Sequence, residues 1–153
     1  MNIMIVRPLI SQVRALMSTE NNIYAACLWE STQDPKLTRE IIRENKDINW
    51  VEWSPSRFFI ISFVRKIRFF INKFRKLDIS IVHLNGLRDL ISVKVASLFS
   101  GQKPRIIITS RNRYLWNSII KKFIAILMIK LLSHGCITLS SKHAEFLINR
   151  GFK

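Results

Sequence analysis

Short apolar runs alternate with segments of helical periodicity along the whole chain. Six of the runs are rich in β-branched and other apolar side chains, which is typical of buried strands. Between them, apolar residues recur at three- and four-residue steps, the spacing of one helix face. The predicted strands cover residues 2–6, 23–29, 48–53, 79–84, 105–109 and 135–139. The predicted helices cover residues 11–18, 37–45, 57–76, 87–100, 117–132 and 141–150.

This alternation of strands and helices predicts the class of fold. Strands separated by helices indicate βαβ units, and hence an α/β protein with a mostly parallel sheet. The strand runs are nearly continuous in apolar residues, apart from residues 48–53, which alternate; such runs are expected where helices cover both faces of the sheet. We therefore predict a doubly wound fold of about six strands, forming one domain over residues 1–153. Ligands of such sheets bind beyond the carboxyl ends of the strands, so the residues that follow each strand are the candidate site.

Positive charge is concentrated in the later part of the chain. The 153 residues include 25 Lys and Arg against ten Asp and Glu, a formal net charge of +15. Residues 1–56 contain six basic and seven acidic residues, a net charge of −1, whereas residues 57–153 contain 19 basic and three acidic residues, a net charge of +16. This asymmetry predicts an anionic partner and leaves nucleic acid, an anionic membrane surface and a phosphorylated ligand as candidates.

Several classes of site and segment are not indicated by the sequence. Three scattered His residues and two distant Cys residues give no metal-binding spacing, and no phosphate-binding glycine loop or nucleophile elbow is present. No run of about 20 apolar residues predicts a membrane span, and the amino terminus lacks a cleavage-like signal. We therefore predict no metal and no cofactor, in a cytoplasmic protein.

The predicted helix 57–76 combines an apolar stripe with many basic residues. Such a helix suits the anionic inner face of a membrane, where each cation near the surface contributes about 1 kcal/mol. The alternative is a helix that packs its aromatic side chains on the sheet and leaves a solvated basic face. The stripe consists of Phe59, Phe63, Ile67, Phe70 and Phe74, and the candidate membrane residues are Arg65, Lys66, Arg68, Arg75 and Lys76.

Three sequence blocks resemble the amino-terminal domain of retaining glycosyltransferases of the family 4 type. Residues 81–88, IVHLNGLR, resemble the family's strand and loop IVHVHG. Residues 104–111, PRIIITSR, resemble its next strand, P-R-V-I-x-T-x-H. Residues 136–141, CITLSS, resemble xIAVSE, and residues 142–151 match the helix that follows. The chain departs from the family pattern at Asn85 and Arg111, which replace histidines, and in lacking glycine after the first strand.

The resemblance implies the acceptor-side half of a two-domain GT-B enzyme, with a Rossmann-like fold. The sequence ends at residue 153, before the family's VIPNG strand and the nucleotide-sugar domain. The resemblance also implies that the domain binds a sugar or lipid-linked acceptor, in bacterial surface polysaccharide or glycolipid synthesis. Such a domain is expected to transfer little sugar alone. Three accounts are compatible with this: a truncated or split gene, a subunit completed by a separately encoded donor domain, or a fragment of a longer protein. The alternative is a non-catalytic basic α/β module on anionic membrane or nucleic acid, with nucleic acid less favoured because the aromatic residues are scattered.

The candidate acceptor residues follow three of the predicted strands. His83, Asn85 and Gly86 suit hydrogen bonding and close approach to a ligand. The alternatives are that the Asn-Gly pair is an ordinary turn signal and that His83 is a hydrogen-bonded core histidine. Arginines bind phosphate through two parallel hydrogen bonds, although a solvated loop is an equal alternative. Ser140 precedes the last helix, where an anion or a plain N-cap are both compatible with serine. The full candidate set is His83, Asn85, Gly86, Arg88, Arg111, Arg113 and Ser140.

Overall fold

Strands and helices alternate along the chain in the computed structural model, which describes residues 1–28, 35–55, 57–110, 119–149 and 151. The strands are β1 (Asn2–Val6), β2 (Asn22–Leu28), β3 (Asn49–Trp53), β4 (Ile81–Leu84), β5 (Arg105–Ser110) and β6 (Gly135–Thr138). The helices are α1 (Ile10–Met17), α2 (Pro35–Glu44), α3 (Phe59–Leu77), α4 (Leu90–Phe99), α5 (Ile119–Leu132) and α6 (Ser141–Ile148). The predicted end of the second strand at residue 29 lies outside the described residues.

The six strands form a single parallel sheet in the order β3-β2-β1-β4-β5-β6. Strand order reverses between β1 and β4, which pair directly, with Ile3 opposite Ile81 and Val6 opposite Leu84. In doubly wound sheets this reversal is the place where ligands bind. The predicted α/β, Rossmann-like fold is confirmed, and every strand pairing in the sheet is parallel.

Two hydrophobic cores lie on the two faces of the sheet. Met4 and Val6 of β1 belong to a core that includes Phe70 of α3, Val93 of α4 and Ile129 of α5. The alternate residues of β1 point the other way and pack with Val13 of α1. Because successive strand residues face opposite sides, a strand that feeds two cores must be apolar throughout. Helices therefore cover both faces, as the continuous apolar runs predicted.

The bounds of α1 to α4 differ from the prediction by one to three residues, and the largest difference is at the start of α4. Helix α4 begins at Leu90 rather than at residue 87, because residues 85–89 form a turn in which Gly86 has a φ of 137°. Glycine adopts such a backbone conformation without the steric cost that a Cβ would bring. In α3, Phe70 and Phe74 are fully buried, whereas Phe59 is 85% exposed. The aromatic stripe of α3 thus joins the core through its carboxyl-terminal part, and its first turn is exposed.

Candidate functional site

The carboxyl ends of β1, β4 and β5 lie side by side, because Val6 is opposite Leu84 and Leu84 is opposite Ile108. The residues that follow these strands are therefore gathered at one edge of the sheet. Asn85 illustrates this: its Nδ2 donates a hydrogen bond of 3.0 Å to the backbone carbonyl of Arg7, 78 positions away in sequence. The site is thus built at the reversal of strand order.

Hydrogen bonds connect this edge to the interior of the sheet and fix the tautomer of His83. Because Asn85 Nδ2 donates to a backbone carbonyl, its second hydrogen is directed to Gln12 Oε1, at 2.8 Å. Gln12 must then present its NH2 group to His83 Nδ1, also at 2.8 Å. An NH2 group can only donate, so Nδ1 accepts. The ring proton is therefore on Nε2, which donates to Thr109 Oγ1 at 2.6 Å.

His83 consequently has the role of a buried, hydrogen-bonded histidine, being 9% exposed. His83 orients the Gln12 side chain, which in turn orients Asn85 at the edge of the sheet. His83 itself lies beneath the surface that a ligand would reach. Gln12 and Thr109 were not identified from the sequence. Their only sequence signal is their position in the first turn of α1 and at the end of β5, and such polar residues are common at these places.

The assignment of the His83 proton can be checked directly. In a ¹⁵N-labelled sample near pH 7, we expect Nδ1 of His83 to resonate as an unprotonated ring nitrogen and Nε2 as a protonated one. The reason is that Gln12 offers Nδ1 a donor and Thr109 offers Nε2 an acceptor. A proton found on Nδ1 would contradict the proposed direction of this hydrogen-bond chain.

Charged residues form a second cluster at the same edge. The Asp89 side chain is 3% exposed; its Oδ2 lies 2.5 Å from Arg7 Nε and its Oδ1 lies 2.8 Å from Lys66 Nζ. Lys66 Nζ is also 4.9 Å from the centroid of the Trp53 ring, within the range of a cation–π interaction. Asp89 is the N-cap residue of α4 but makes no capping hydrogen bond with its side chain, because the carboxylate binds these two cations.

Arg7 contributes to the cluster through an unusual backbone conformation. Its φ is 56°, in the left-handed region that is unfavourable for residues with a Cβ. Arg7 thus adopts the turn after β1 without a glycine. Its Nε then reaches Asp89, at the far end of the β4–α4 turn. The formal charges of Arg7, Lys66 and Asp89 sum to +1.

The structure brings together some of the residues predicted for acceptor binding. Asn85, Gly86 and Arg88 line a groove between the β4–α4 turn and α5, with Arg7 beside them. A Cβ added at Gly86 would meet no atom within 4 Å, so this position faces open space that a ligand can approach. Ser140 lies apart, because it follows β6, two strands from β4 in the sheet. Arg111 and Arg113 lie outside the described residues.

The residues predicted for membrane contact do not all lie on one face of α3. Arg65, Arg68 and Lys76 are exposed. Lys66 faces the interior, with a side chain 12% exposed, and binds Asp89. Arg75 is exposed but donates hydrogen bonds to the carbonyls of Phe99 at 2.8 Å and Ser100 at 3.0 Å, so it also satisfies the end of α4.

Both cysteines are partly buried free thiols. Burial raises the pKa of Cys27 above its ordinary value, and the nearby Glu52 carboxylate raises it further. Burial likewise raises the pKa of Cys136. Because the thiolate is the nucleophilic form, these pKa directions give neither cysteine the character of a catalytic nucleophile.

The part of the chain that the structure describes has neither a metal-binding cluster nor a membrane-spanning helix. No three His, Cys, Asp or Glu side chains within these ranges are grouped so that they could hold a metal ion. None of the described helices has the length and apolar character needed to cross a bilayer.

Comparison with known proteins gives a match in structure. No family model matches the chain, and no curated protein matches its sequence. Among solved structures, the chain is similar to the apo form of the lipopolysaccharide outer core galactosyltransferase WaaB, with a TM-score of 0.65 and 14% sequence identity. The match covers 100% of this chain and 43% of that structure, so the chain spans less than half the length of the protein it matches. The Rossmann-like fold of this chain is therefore one that also occurs in a galactosyltransferase.

Proposed function

We propose that the chain is the acceptor-binding half of a retaining glycosyltransferase of the family 4 type, within a GT-B enzyme. Such an enzyme would act from a nucleotide sugar in the synthesis of bacterial surface polysaccharide or glycolipid. The observation that carries the proposal is the polar edge and groove where strand order reverses between β1 and β4. The similarity in fold to a galactosyltransferase supports it, as do the sequence blocks that coincide with β4, β5 and β6.

Glycosyl transfer with retention requires two contributions from the protein. The leaving pyrophosphate must be stabilised, and the acceptor hydroxyl must be held beside the anomeric carbon of the donor sugar. In this proposal the chain supplies the second contribution. Asn85 and Arg88 orient the acceptor in the groove, and Gly86 lets it approach the backbone. The first contribution comes from a donor domain, so we expect little transfer by residues 1–153 alone.

The proposal predicts that activity requires a donor domain in addition to residues 1–153. The purified chain should release no nucleotide from a nucleotide sugar, whereas the complex co-purified with its genomic neighbours should release nucleotide when acceptor is present. In that complex, Arg88→Gln should raise the KM for acceptor about tenfold, which corresponds to about 1.4 kcal/mol of lost binding. Arg43→Gln, an exposed change on α2, is the control and should leave KM unchanged.

Two results would contradict this prediction. Sugar transfer by the isolated chain would show that it is not half of a site. Nucleotide release by the complex with an unchanged KM in Arg88→Gln would place the acceptor elsewhere. Tight binding of the chain to heterogeneous DNA, falling steeply with salt, would instead favour a nucleic-acid module.

We also propose that the exposed basic face of α3 contacts the inner face of an anionic membrane from the cytoplasm. Arg65→Gln combined with Arg68→Gln should weaken binding to vesicles of anionic phospholipid about 30-fold, since two cations near the surface contribute about 2 kcal/mol. Co-sedimentation at several lipid concentrations measures this. Arg43→Gln with Lys46→Gln removes the same charge from exposed positions outside α3 and should have little effect. Equal losses in the two double variants would mean that net charge alone, and not α3, determines binding.

A further inference from the structure

Helix α5 is apolar on two opposite sides. Ala125 and Ile129 are buried, and Ile129 belongs to the core on this face of the sheet. The side facing away from the sheet is also apolar, and each of its large side chains is at least 45% exposed. Exposed apolar side chains grouped in this way are typical of a surface that binds another molecule. The exposed side consists of Ile120, Phe123, Ile124, Leu127 and Leu131.

The spacing of these side chains is that of a seam between two helices. Four of them, here called the α5 seam, are separated by steps of four, three and four residues: Ile120, Ile124, Leu127 and Leu131. This is the alternation of the a and d positions in a heptad repeat, which two paired helices bury against each other. It places the four side chains on one narrow line along α5, narrower than the apolar face of a helix that packs on a broad surface. The α5 seam therefore favours a partner helix as its occupant.

Two lysines border the α5 seam, one on each side. In the heptad register that puts Leu127 at a d position, Lys121 falls at e and Lys130 at g. Lys121 lines the groove on the α4 side of the helix, and Lys130 lines a cavity on its α6 side. Both residues are exposed, and neither forms an ion pair with a residue that the structure describes. In paired helices the e and g positions form the salt bridges that determine the choice of partner.

Charge complementarity favours an acidic partner over a second copy of this chain. Helix α5 contains no Asp or Glu, and none occurs in the sequence between Asp89 and Glu145. A second α5 would therefore bring no carboxylate to either lysine, and two chains that each have a net charge of +15 repel each other. A helix with Asp or Glu at its own e and g positions would pair with both lysines.

We propose that α5 is a docking surface for an amphipathic helix of an acidic partner protein. The apolar side chains of that helix pack along the α5 seam, and its flanking carboxylates pair with Lys121 and Lys130. Docking of this kind buries the exposed apolar side chains of α5 and neutralises the two cations beside them. The proposal does not rest on glycosyl transfer and would hold even if the chain bound no acceptor.

Two synthetic helical peptides test the chemistry of the partner. Both consist of three heptads with Leu at the a and d positions and Ala or Gln at the outer positions. One peptide has Glu at e and g, and the other has Lys there, so that like charges hinder each from pairing with itself. In calorimetric titrations of the full chain, we expect the Glu peptide to bind about tenfold or more tightly than the Lys peptide, because only the Glu peptide can pair with the two lysines.

Variants locate the bound peptide and separate docking from general attraction to a basic protein. Leu127→Ser should weaken binding of the Glu peptide about tenfold, and Lys130→Gln should weaken it about threefold. Leu139→Ser and Lys103→Gln make the same changes at exposed positions outside α5 and should change the affinity less than about 1.5-fold. All four replaced residues are exposed, and thermal unfolding of each variant will verify that the fold is retained.

Two further measurements distinguish a helix from other occupants of the α5 seam. We expect Leu127→Ser to leave co-sedimentation with vesicles of anionic phospholipid unchanged within a factor of about two, because α5 is not the membrane contact in this proposal. Analytical ultracentrifugation should give the same mass for this variant and for the unchanged chain. A large loss of vesicle binding would assign the α5 seam to a bilayer, and dissociation of a dimer would assign it to a second copy.

Five outcomes would overturn the proposal: no measurable binding of the Glu peptide, equal binding of the Lys peptide, equal losses at the control positions, a large loss of vesicle binding in Leu127→Ser, or dissociation of a dimer by that variant. None of them depends on nucleotide release or on an acceptor. Helix docking can therefore fail while the acceptor proposal stands, and the acceptor proposal can fail while helix docking stands.

Discussion

Replacing Phe70 with alanine should lower the free energy of unfolding by about 3–5 kcal/mol, the range measured for buried aromatic residues replaced by alanine. Phe70 is fully buried between α3 and the sheet. Its ring centroid lies 5.3 Å from that of Phe69, in an edge-to-face arrangement, and 5.8 Å from that of Phe74. Alanine would leave a cavity and remove both ring contacts. Urea unfolding followed by circular dichroism measures the loss.

The same helix provides a matched control for this substitution. Phe59→Ala removes the same atoms from the first turn of α3, where the side chain is 85% exposed. We expect the free energy of unfolding to change by less than about 0.5 kcal/mol, as for most surface substitutions. Similar losses in the two variants would mean that the stripe of α3 is buried along its whole length, which would contradict the structure.

Replacing Asp89 with asparagine should have the second-largest effect, a loss of about 3 kcal/mol in the free energy of unfolding. The carboxylate compensates the charges of Arg7 and Lys66 at once, and the side chains of these residues are only 22% and 12% exposed. An amide of the same shape would leave two cations close together with no anion between them. Because both cations retain some contact with water, we expect the lower end of the range for broken buried ion pairs. Urea unfolding at constant pH and salt measures this loss.

Asp78→Asn is the control for the loss of one carboxylate. Asp78 is exposed, and its φ of 46° lies in the left-handed region that asparagine tolerates. We expect a change below about 0.5 kcal/mol. A second variant, Lys66→Met, retains the ion pair between Arg7 and Asp89 and should cost less than Asp89→Asn. A neutral result for Asp89→Asn would mean that water compensates the two cations, and that the cluster does not stabilise the β4–α4 turn.

Much of the fold could be predicted because each strand and helix is indicated by residues that are close together in the sequence. Most strands are short, nearly continuous apolar runs, and β1 is apolar on both faces because it feeds two cores. The start of α4 was predicted three residues early, at residue 87. The preceding turn depends on the backbone of Gly86 and on Asp89, whose carboxylate binds residues far away in the chain. Apolar periodicity contains no information on such contacts.

The candidate site could be predicted only in part for the same reason. Asn85, Gly86 and Arg88 directly follow a strand, so the rule on strand ends was enough to select them. Lys66 was predicted for the membrane surface because helical spacing does not reveal that it faces Asp89. Gln12 acquires a role only once α1 packs beside β4, a fact of tertiary structure.

The position of β1 has a consequence for how the chain is made. This strand is synthesised before β2 and β4, the two strands between which it lies, so one of its edges stays unpaired until Leu84 has been added. A ribosome-bound nascent chain shorter than this presents an apolar strand with an open edge, the kind of surface that promotes aggregation. Pairing between segments so distant in sequence also makes folding slow compared with helical proteins of similar size. Newly made copies of this protein should therefore depend on chaperones that shield the first strand until translation has passed β4.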